Sequence, residues 1–308
     1  DSDSVRNSVC RQAFQGGRIR GFFRFLVEAL EKALPSMAQK RLKYPSHWLQ
    51  AHAEGRKISM ATCYDFAFAR LIARSSVDAI LVGDSMGMVV QGKRSTVPVT
   101  LDQIIYHAEM VRRGAPEKFL IVDMPAGTYH SSVEAAIENA MRIMKETDAD
   151  ALKLEGSTPF LIQVITRMVE SGIPVMGHSG LTPQSVLTAG GFRVQGKTSD
   201  SAALLKEAAL SLQAAGCFGL LLELVEANVA KNLTSQLSIP TVGIGSGADT
   251  SGQVLVLHDI LGLDPDFSPR HTKKYADLAD PIIQAFDQYT QDVQKGAFPG
   301  PENSFYAE

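Results

Sequence analysis

Asp84 and Ser85 follow the apolar run "AILVG" (79–83), Asp123 ends "FLIVD" (119–123), and "ALKLE" (151–155) carries Lys153 and Glu155. Farther along, "PVMGH" (174–178) reaches His178, and "GLLLE" (219–223) ends on Glu223. Carboxylates beside a hydroxyl suit a hard divalent ion such as Mg²⁺, which prefers oxygen ligands and keeps several waters. Such an ion can bind a 2-oxo acid through its keto and carboxylate oxygens and stabilise an enolate. Lys153 could balance the charge of that anionic substrate as a point cation. Glu223 closes a nearly unbroken apolar stretch, where an isolated carboxylate is costly unless paired, metal-bound or protonated. With its pKa raised by burial it could carry protons.

Each residue taken alone has a plainer reading. Asp84 could cap the turn after its run, and so could Asp123 ahead of Met124-Pro125. His178 could be a hydrogen-bonded structural histidine. Lys153 and Glu155 share one strand face, because side chains alternate with period two, and could form only an ion pair. The set gains meaning only if these positions, far apart in sequence, converge.

The elements that would make them converge are legible as a rhythm. Short β-branched-rich runs occur at 58–63, 79–83, 119–123, 151–155, 174–178, 219–223, 241–245 and 253–259. Such runs suit strands covered on both faces. Between them lie stretches with apolar residues every three or four positions. "SSVEAAIENAMRIMKET" opens on a plausible cap, and "SDSAALLKEAALSLQAAG" ends on Gly216 as a helix C-terminus would. Eight strands alternating with helices predict a (β/α)8 barrel, with a doubly wound open sheet as the alternative. The eighth run is the weakest, since its apolar pattern is equally helical. In a barrel every strand's C-terminal end opens on the face where active sites are built. The string "GIGSGADTSGQ" (243–253) lacks the Rossmann spacing and reads as a tight turn giving backbone access to substrate.

Composition narrows the class. The chain has 308 residues, 45% hydrophobic, with a formal net charge of −3. That balance gives no whole-molecule attraction to nucleic acid or to anionic membranes. No apolar run reaches the roughly 18–20 residues needed to span a bilayer. Cys10, Cys63 and Cys217 are too few and scattered for a disulfide framework or zinc site. A soluble protein of a reducing compartment, cytoplasmic in the first instance, is expected. Residues 1–44 differ, with nine Lys/Arg against four Asp/Glu and a potential basic amphipathic helix in "RGFFRFLVEALEKAL". They read as an N-terminal extension or a mitochondrial leader ahead of a catalytic barrel over 45–308.

At the level of whole motifs the sequence resembles the ketopantoate hydroxymethyltransferase family of pantothenate biosynthesis. The resemblance is carried in order by "GDSMGMVVQG", "TVPVT", "YHAEMVRRGAP", "VDMP", "LKLEG", "PVMGHSGLTPQS", "GGFRVQGK" and "IPTVGIGSGADTSGQVLVLHD", from about residue 43 to 263. It implies a (β/α)8 barrel of the phosphoenolpyruvate-mutase and isocitrate-lyase superfamily. It also implies use of Mg²⁺ and 5,10-methylenetetrahydrofolate to convert 3-methyl-2-oxobutanoate into 2-dehydropantoate. The family's metal-site residues match Asp84, Asp123 and Glu155, and its substrate-binding set matches Asp84, Ser85, Asp123, Lys153 and His178. Its proton-transfer glutamate matches Glu223, while no residue is assigned to the folate. Family enzymes form decamers, implying a large homo-oligomer.

The chain departs from the family at Ser157, at Leu224 and Glu226 after the proposed base, at Lys93-Arg94, and through "MPAGTYHSS" after Asp123. Two other readings stay in view. One is a superfamily lyase or phosphomutase acting on a small 2-oxo acid, against which the isocitrate-lyase string "KKCGH" is absent. The other is a catalytically silent barrel, against which the metal and acid/base set is complete.

Overall fold

A computed structural model describes residues 41–267 and 269–307. The strands are β1 Ile58–Thr62, β2 Ala79–Val82, β3 Phe119–Asp123, β4 Ala151–Glu155, β5 Val175–Gly180, β6 Gly219–Glu223, β7 Thr241–Ile244 and β8 Gly252–Leu255. Each pairs in parallel with the next, and β8 returns to β1 to close the barrel. The helices are α1 Pro45–Ala53, α2 Phe66–Ala73, α3 Met86–Val89, α4 Leu101–Gly114, α5 Val133–Thr147 and α6 Pro159–Glu170. After them come α7 Val186–Ala189, α8 Ser199–Ala214, α9 Ala227–Gln236, α10 Leu257–Leu261 and α11 Ala279–Gln294. None of the described helices is long and apolar enough to cross a membrane. The basic helix expected in "RGFFRFLVEALEKAL" (20–34) lies outside the described residues.

Closure settles the choice between barrel and open sheet. The eighth predicted run, 253–259, divides: Gly252–Leu255 is strand and Leu257–Leu261 is helix. The ladder to β1 ends at Ala61 opposite Leu255, and Thr62 Oγ1 then accepts from Leu257 N at 2.9 Å. That bond draws the chain away from the sheet just where its apolar pattern turns helical. Caps elsewhere follow the sequence. Ser132 accepts from Ala135 N at the start of α5, and Thr100 and Gln103 form a capping box on α4.

Strand alternation sorts residues between two apolar regions. Ile80, Val82, Leu120, Val122, Leu152, Leu154, Leu220 and Leu222 face the helices, in a core shared with Ala108, Ile143, Val164 and Leu212. The opposite parity fills the barrel. Phe119 and Phe218 meet Trp48 of α1 edge-to-face at 5.3 and 5.6 Å and form an aromatic floor. Ile58, Met60, Leu81, Ile121, Met176 and Leu221 pack in the same interior cluster. The same inward parity, continued to the strand ends, delivers Asp123, Lys153, Glu155, His178 and Glu223 to the mouth. Thus the polar strand endings are the last inward-facing positions of otherwise apolar columns.

Gly180 shows how tightly the mouth is built. It has φ +97°, and a Cβ there would lie 2.3 Å from the carbonyl oxygen of Glu223. Leu181 N donates to that same oxygen at 2.8 Å. Gly180→Ala should therefore both strain the backbone and push β6 outward. We expect a loss of about 1–3 kcal/mol in urea unfolding, with weaker catalysis because Glu223 moves; an unchanged unfolding midpoint would show that the strands separate freely here.

Candidate active site

The mouth is organised around one ammonium group. Lys153 Nζ lies 3.2 Å from Asp123 Oδ1, 3.4 Å from Glu155 Oε1 and 3.1 Å from His178 Nδ1. All four side chains are buried. Register explains the meeting: Asp123 lies opposite Lys153 across β3–β4, and Glu155 opposite His178 across β4–β5. Burial alone would lower the Lys153 pKa, but the carboxylates of Asp123 and Glu155 outweigh it and hold the amine firmly protonated. Glu155 is likewise opposed by burial, yet the charge of Lys153 brings it down to about 2.

Asp84 and Ser85 enter from the loop between β2 and α3. Asp84 N donates to Asp123 Oδ2 at 3.0 Å, so the two aspartates are joined through backbone and carboxylate. Gly83 permits that approach, since a Cβ there would lie 2.9 Å from Ser85 Oγ and 3.5 Å from Asp123 Oδ2. Burial, with Asp123 and Glu155 close by, pushes the Asp84 carboxyl well above the usual range. Burial also raises Asp123, to about 6, although Lys153 counteracts it. Ser85 Oγ hydrogen-bonds Tyr64 OH at 2.8 Å.

Glu223 stands on the other side of His178. Its side chain is 20% exposed, and its Oε2 is 3.5 Å from His178 Nε2. Burial, then repulsion from Glu155, raises its pKa from 4.5 to about 8. Of the three states that could make this carboxylate tolerable, protonation is the one the surroundings favour in the metal-free protein. Burial and Lys153 hold His178 below its ordinary pKa, so the ring is neutral. Because the ammonium can only donate to Nδ1, the ring proton belongs on Nε2. Nε2 is buried without a hydrogen-bond partner among the described residues, which leaves a donor directed at the space beside Glu223.

Every residue expected at the site is at the mouth: Asp84, Ser85, Asp123, Lys153, Glu155, His178 and Glu223. Lys153 differs in setting from its expected part as a substrate counter-ion, because two carboxylates and an imidazole already engage it. Three groups escaped the sequence reading. Tyr64 reaches Ser85 from the end of β1. Tyr129 and Gln184 come from the loops after β3 and β5, within the quoted strings "MPAGTYHSS" and "PVMGHSGLTPQS", and bond to Glu155 and Asp84. A Gln behind a Pro and a Tyr behind a Thr carry no chemical signal by type or spacing.

The glycine-rich turn has a structural part. Ser246 Oγ accepts from Val225 N at 3.0 Å and donates to Leu222 O at 2.8 Å, so the turn supports the end of β6. Leu224, one of the departures from the family, adopts φ +47°. Its N donates to Ile244 O at 2.9 Å and its carbonyl accepts from Gln195 N at 2.7 Å. Pinned on both sides, the residue after Glu223 is kept in a conformation that a non-glycine residue seldom adopts.

Among the described residues, no three His, Cys, Asp or Glu side chains already form a metal cage. The donor chemistry nevertheless fits a divalent cation. Asp84, Asp123 and Glu155, when ionised, set three negative charges against the single positive charge of Lys153. Asp123 Oδ1 is buried without a hydrogen bond among the described residues, although Lys153 lies close to it. Both Glu155 oxygens have partners, Lys153 at one and Gln184 N at the other, so the two aspartates are the freer donors.

Fold and mouth together define a (β/α)8 barrel whose strand ends gather carboxylates around one buried ammonium. Solved structures of similar fold include a 2,3-dimethylmalate lyase, itself a PEP mutase/isocitrate lyase superfamily member (TM-score 0.52, 15% identity, covering 85% of this chain and 91% of that one). Another is phosphoenolpyruvate phosphomutase from Streptomyces platensis subsp. rosaceus (TM-score 0.56, 13% identity, 82% and 88%). A third is phosphonopyruvate hydrolase in complex with oxalate and Mg²⁺ (TM-score 0.55, 10% identity, 85% and 93%). The narrower kinship comes from sequence. The family model for ketopantoate hydroxymethyltransferase matches residues 43–301. Enzymes named 3-methyl-2-oxobutanoate hydroxymethyltransferase align from Leptospira interrogans (49% identity, 81% of this chain and 94% of the relative) and Heliobacterium modesticaldum (50%, 82% and 91%). The chain belongs to the ketopantoate hydroxymethyltransferase family. It is therefore a hydroxymethyl-transferring enzyme of pantothenate biosynthesis rather than a superfamily lyase, a phosphomutase or a silent barrel.

The Glu223 environment has a measurable signature without substrate. Its folded pKa, about 8, exceeds its ordinary value of 4.5, so the folded protein binds this proton more tightly than the unfolded one. The associated stability is full below the lower value and is lost as pH rises through the upper. Glu223→Gln mimics the neutral acid. It should match wild type in urea unfolding near pH 4 and become the more stable protein by pH 9; equal stability across that range would place Glu223 in ordinary solvent.

Proposed function

We propose that this enzyme makes 2-dehydropantoate from 3-methyl-2-oxobutanoate with 5,10-methylenetetrahydrofolate as one-carbon donor and a Mg²⁺ ion held by Asp84 and Asp123. The observation that carries the reading is the charge balance at the mouth. Three carboxylates, when ionised, and one ammonium leave two negative charges in a buried place, beside a neutral histidine and a protonatable glutamate. A divalent ion cancels that excess, and when bound it supplies positive charge to the keto oxygen of the substrate.

The protein's own groups then divide the work. Lys153 fixes the Asp123 and Glu155 carboxylates in place. Ser85, oriented by Tyr64, offers a hydroxyl beside Asp84 for the substrate carboxylate. His178 Nε2 donates to a substrate oxygen, meeting the need of a buried N–H that has no protein partner among the described residues. Glu223 moves protons. The C3–H bond breaks, C3 forms a carbon–carbon bond to the methylene carbon of the donor, and water supplies the new hydroxyl as tetrahydrofolate leaves. A carboxyl poised near neutrality can accept a proton and return it within one cycle. A homo-oligomer also belongs to this reading. Ile282, Ile283, Phe286, Tyr289 and Val293 form an exposed apolar stripe along α11 that supports it.

Metal and protons should compete for the aspartates, because both Asp84 and Asp123 have raised pKa values, the latter about 6. Calorimetric titration with Mg²⁺ should show weaker binding as pH falls from 8 to 6, with proton release on binding. Asp84→Asn and Asp123→Asn should each weaken binding markedly at pH 8. Wild-type affinity in both variants would remove these residues from the metal shell.

Proton transfer is testable apart from one-carbon transfer. With Mg²⁺ and 3-methyl-2-oxobutanoate in D₂O, the enzyme should exchange the C3 hydrogen without folate. If Glu223 is the C3 base, Glu223→Gln suppresses exchange and turnover together; if it serves a folate nitrogen, turnover falls while exchange survives. Full turnover by the Gln variant would eliminate both roles.

A further inference from the structure

The loop after β5 carries one side chain that joins the two halves of the site. Gln184 Nε2 donates to Asp84 Oδ2 at 2.8 Å and to Met124 O at 2.9 Å. Its backbone N donates to Glu155 Oε2 at 3.0 Å. Its Oε1 accepts from Tyr129 OH at 2.5 Å, and that hydroxyl in turn accepts from Glu155 N at 3.3 Å. Both amide hydrogens and the amide oxygen of Gln184 are therefore used.

The network determines which way the amide points. Reversed, the Gln184 oxygen would face a carboxylate and a carbonyl, with no donor between them, and its NH₂ would displace the phenol proton. Tyr129 OH receives its own hydrogen bond from Glu155 N, which directs the phenol proton to Gln184. The ring cannot swing away: Tyr129 is 1% exposed, and His130 stacks on it with centroids 4.0 Å apart. One Asp84 oxygen is thus held by a donor whose orientation is itself fixed, while the carboxylate cannot rotate about its terminal bond without losing that donor.

The segment bearing Gln184 is secured independently. Leu181 N donates to Glu223 O at 2.8 Å and Gln195 N to Leu224 O at 2.7 Å, so both ends are fastened to the residues at and after the proposed proton carrier. Between these fastenings Gln184 reaches back to β2, β3 and β4. We propose that Gln184, oriented by Tyr129, is a positioning residue that presents the free oxygen of Asp84 to the metal ion. This inference rests on the Mg²⁺ reading above and extends it to two residues outside the ligand set.

The test is Mg²⁺ titration by calorimetry on full-length wild type, Gln184→Met, Tyr129→Phe and the double variant, each with and without 3-methyl-2-oxobutanoate. Methionine keeps the volume of glutamine, and phenylalanine keeps the stacked ring. Gln184→Met should weaken Mg²⁺ binding about 10- to 100-fold, the usual effect of removing a partner of a metal ligand. Tyr129→Phe should weaken it roughly fivefold, as loss of one ordinary hydrogen bond would. Because Tyr129 acts through Gln184, Tyr129→Phe should have little further effect in the Gln184→Met background. A merely structural tyrosine would instead add its full effect there, and would lower the thermal midpoint of metal-free protein without sparing the double variant. If wild type binds Mg²⁺ and both single variants match it, the positioning role is overturned while the metal reading stands. If wild type itself binds no Mg²⁺ with the oxo acid present, the metal reading fails and this inference with it.

Discussion

The buried ammonium of Lys153 is the constraint on which the mouth of the barrel depends. Its contacts at 3.1–3.4 Å to His178, Asp123 and Glu155 reconcile groups from three adjacent strands in a place that water barely reaches. A buried charge left without its partner costs about 3–5 kcal/mol, so none of these groups is tolerable singly. The ammonium also divides labour among the acids. It keeps Glu155 ionised, leaves Asp123 within reach of neutrality, and lowers Glu223 by less than burial and Glu155 raise it. Four carboxylic acids in one cavity thereby acquire different proton affinities, and a site that must hold a cation while moving protons needs that spread.

Much of the architecture was legible because barrels write themselves twice in sequence. Each strand is a short apolar run, and each ends in a polar residue at a position of inward parity. Phe119, Ile121 and Asp123 form one such column, as do Ala151, Lys153 and Glu155. The eighth strand was overextended because Val256, Leu257 and Ile260 continue its apolar character after the ladder has ended. Nothing in residue type marks the point where Thr62 captures Leu257 N.

Loop groups were less legible for a physical reason. Strand residues inherit their direction from alternation, so a sequence position fixes a side of the sheet. Gln184 and Tyr129 reach the site through turns, and their partners lie 100 and 55 residues away along the chain. Their residue types are common in surface loops, where they do no such work. Leu224 is a related case: its positive φ follows from bonds to Ile244 and Gln195, neither adjacent in sequence. Family resemblance located the ionisable set, but the neutral hydrogen-bonding residues that orient it emerge only in three dimensions.

The pairing of Asp123 with Lys153 and of Glu155 with His178 across neighbouring strands has a bearing on how such an enzyme can diverge. A single residue gained or lost inside β3, β4 or β5 would turn every following side chain to the opposite face, burying the acids among helix-facing leucines. Length changes are therefore barred from the strands and confined to the connections. Apart from Asp84, which follows β2 almost directly, those connections contribute hydrogen-bonding and apolar side chains rather than charges. Descendants of this barrel can exchange whole loops, and with them the molecules they admit, while the arrangement of charge at the strand ends passes on unaltered.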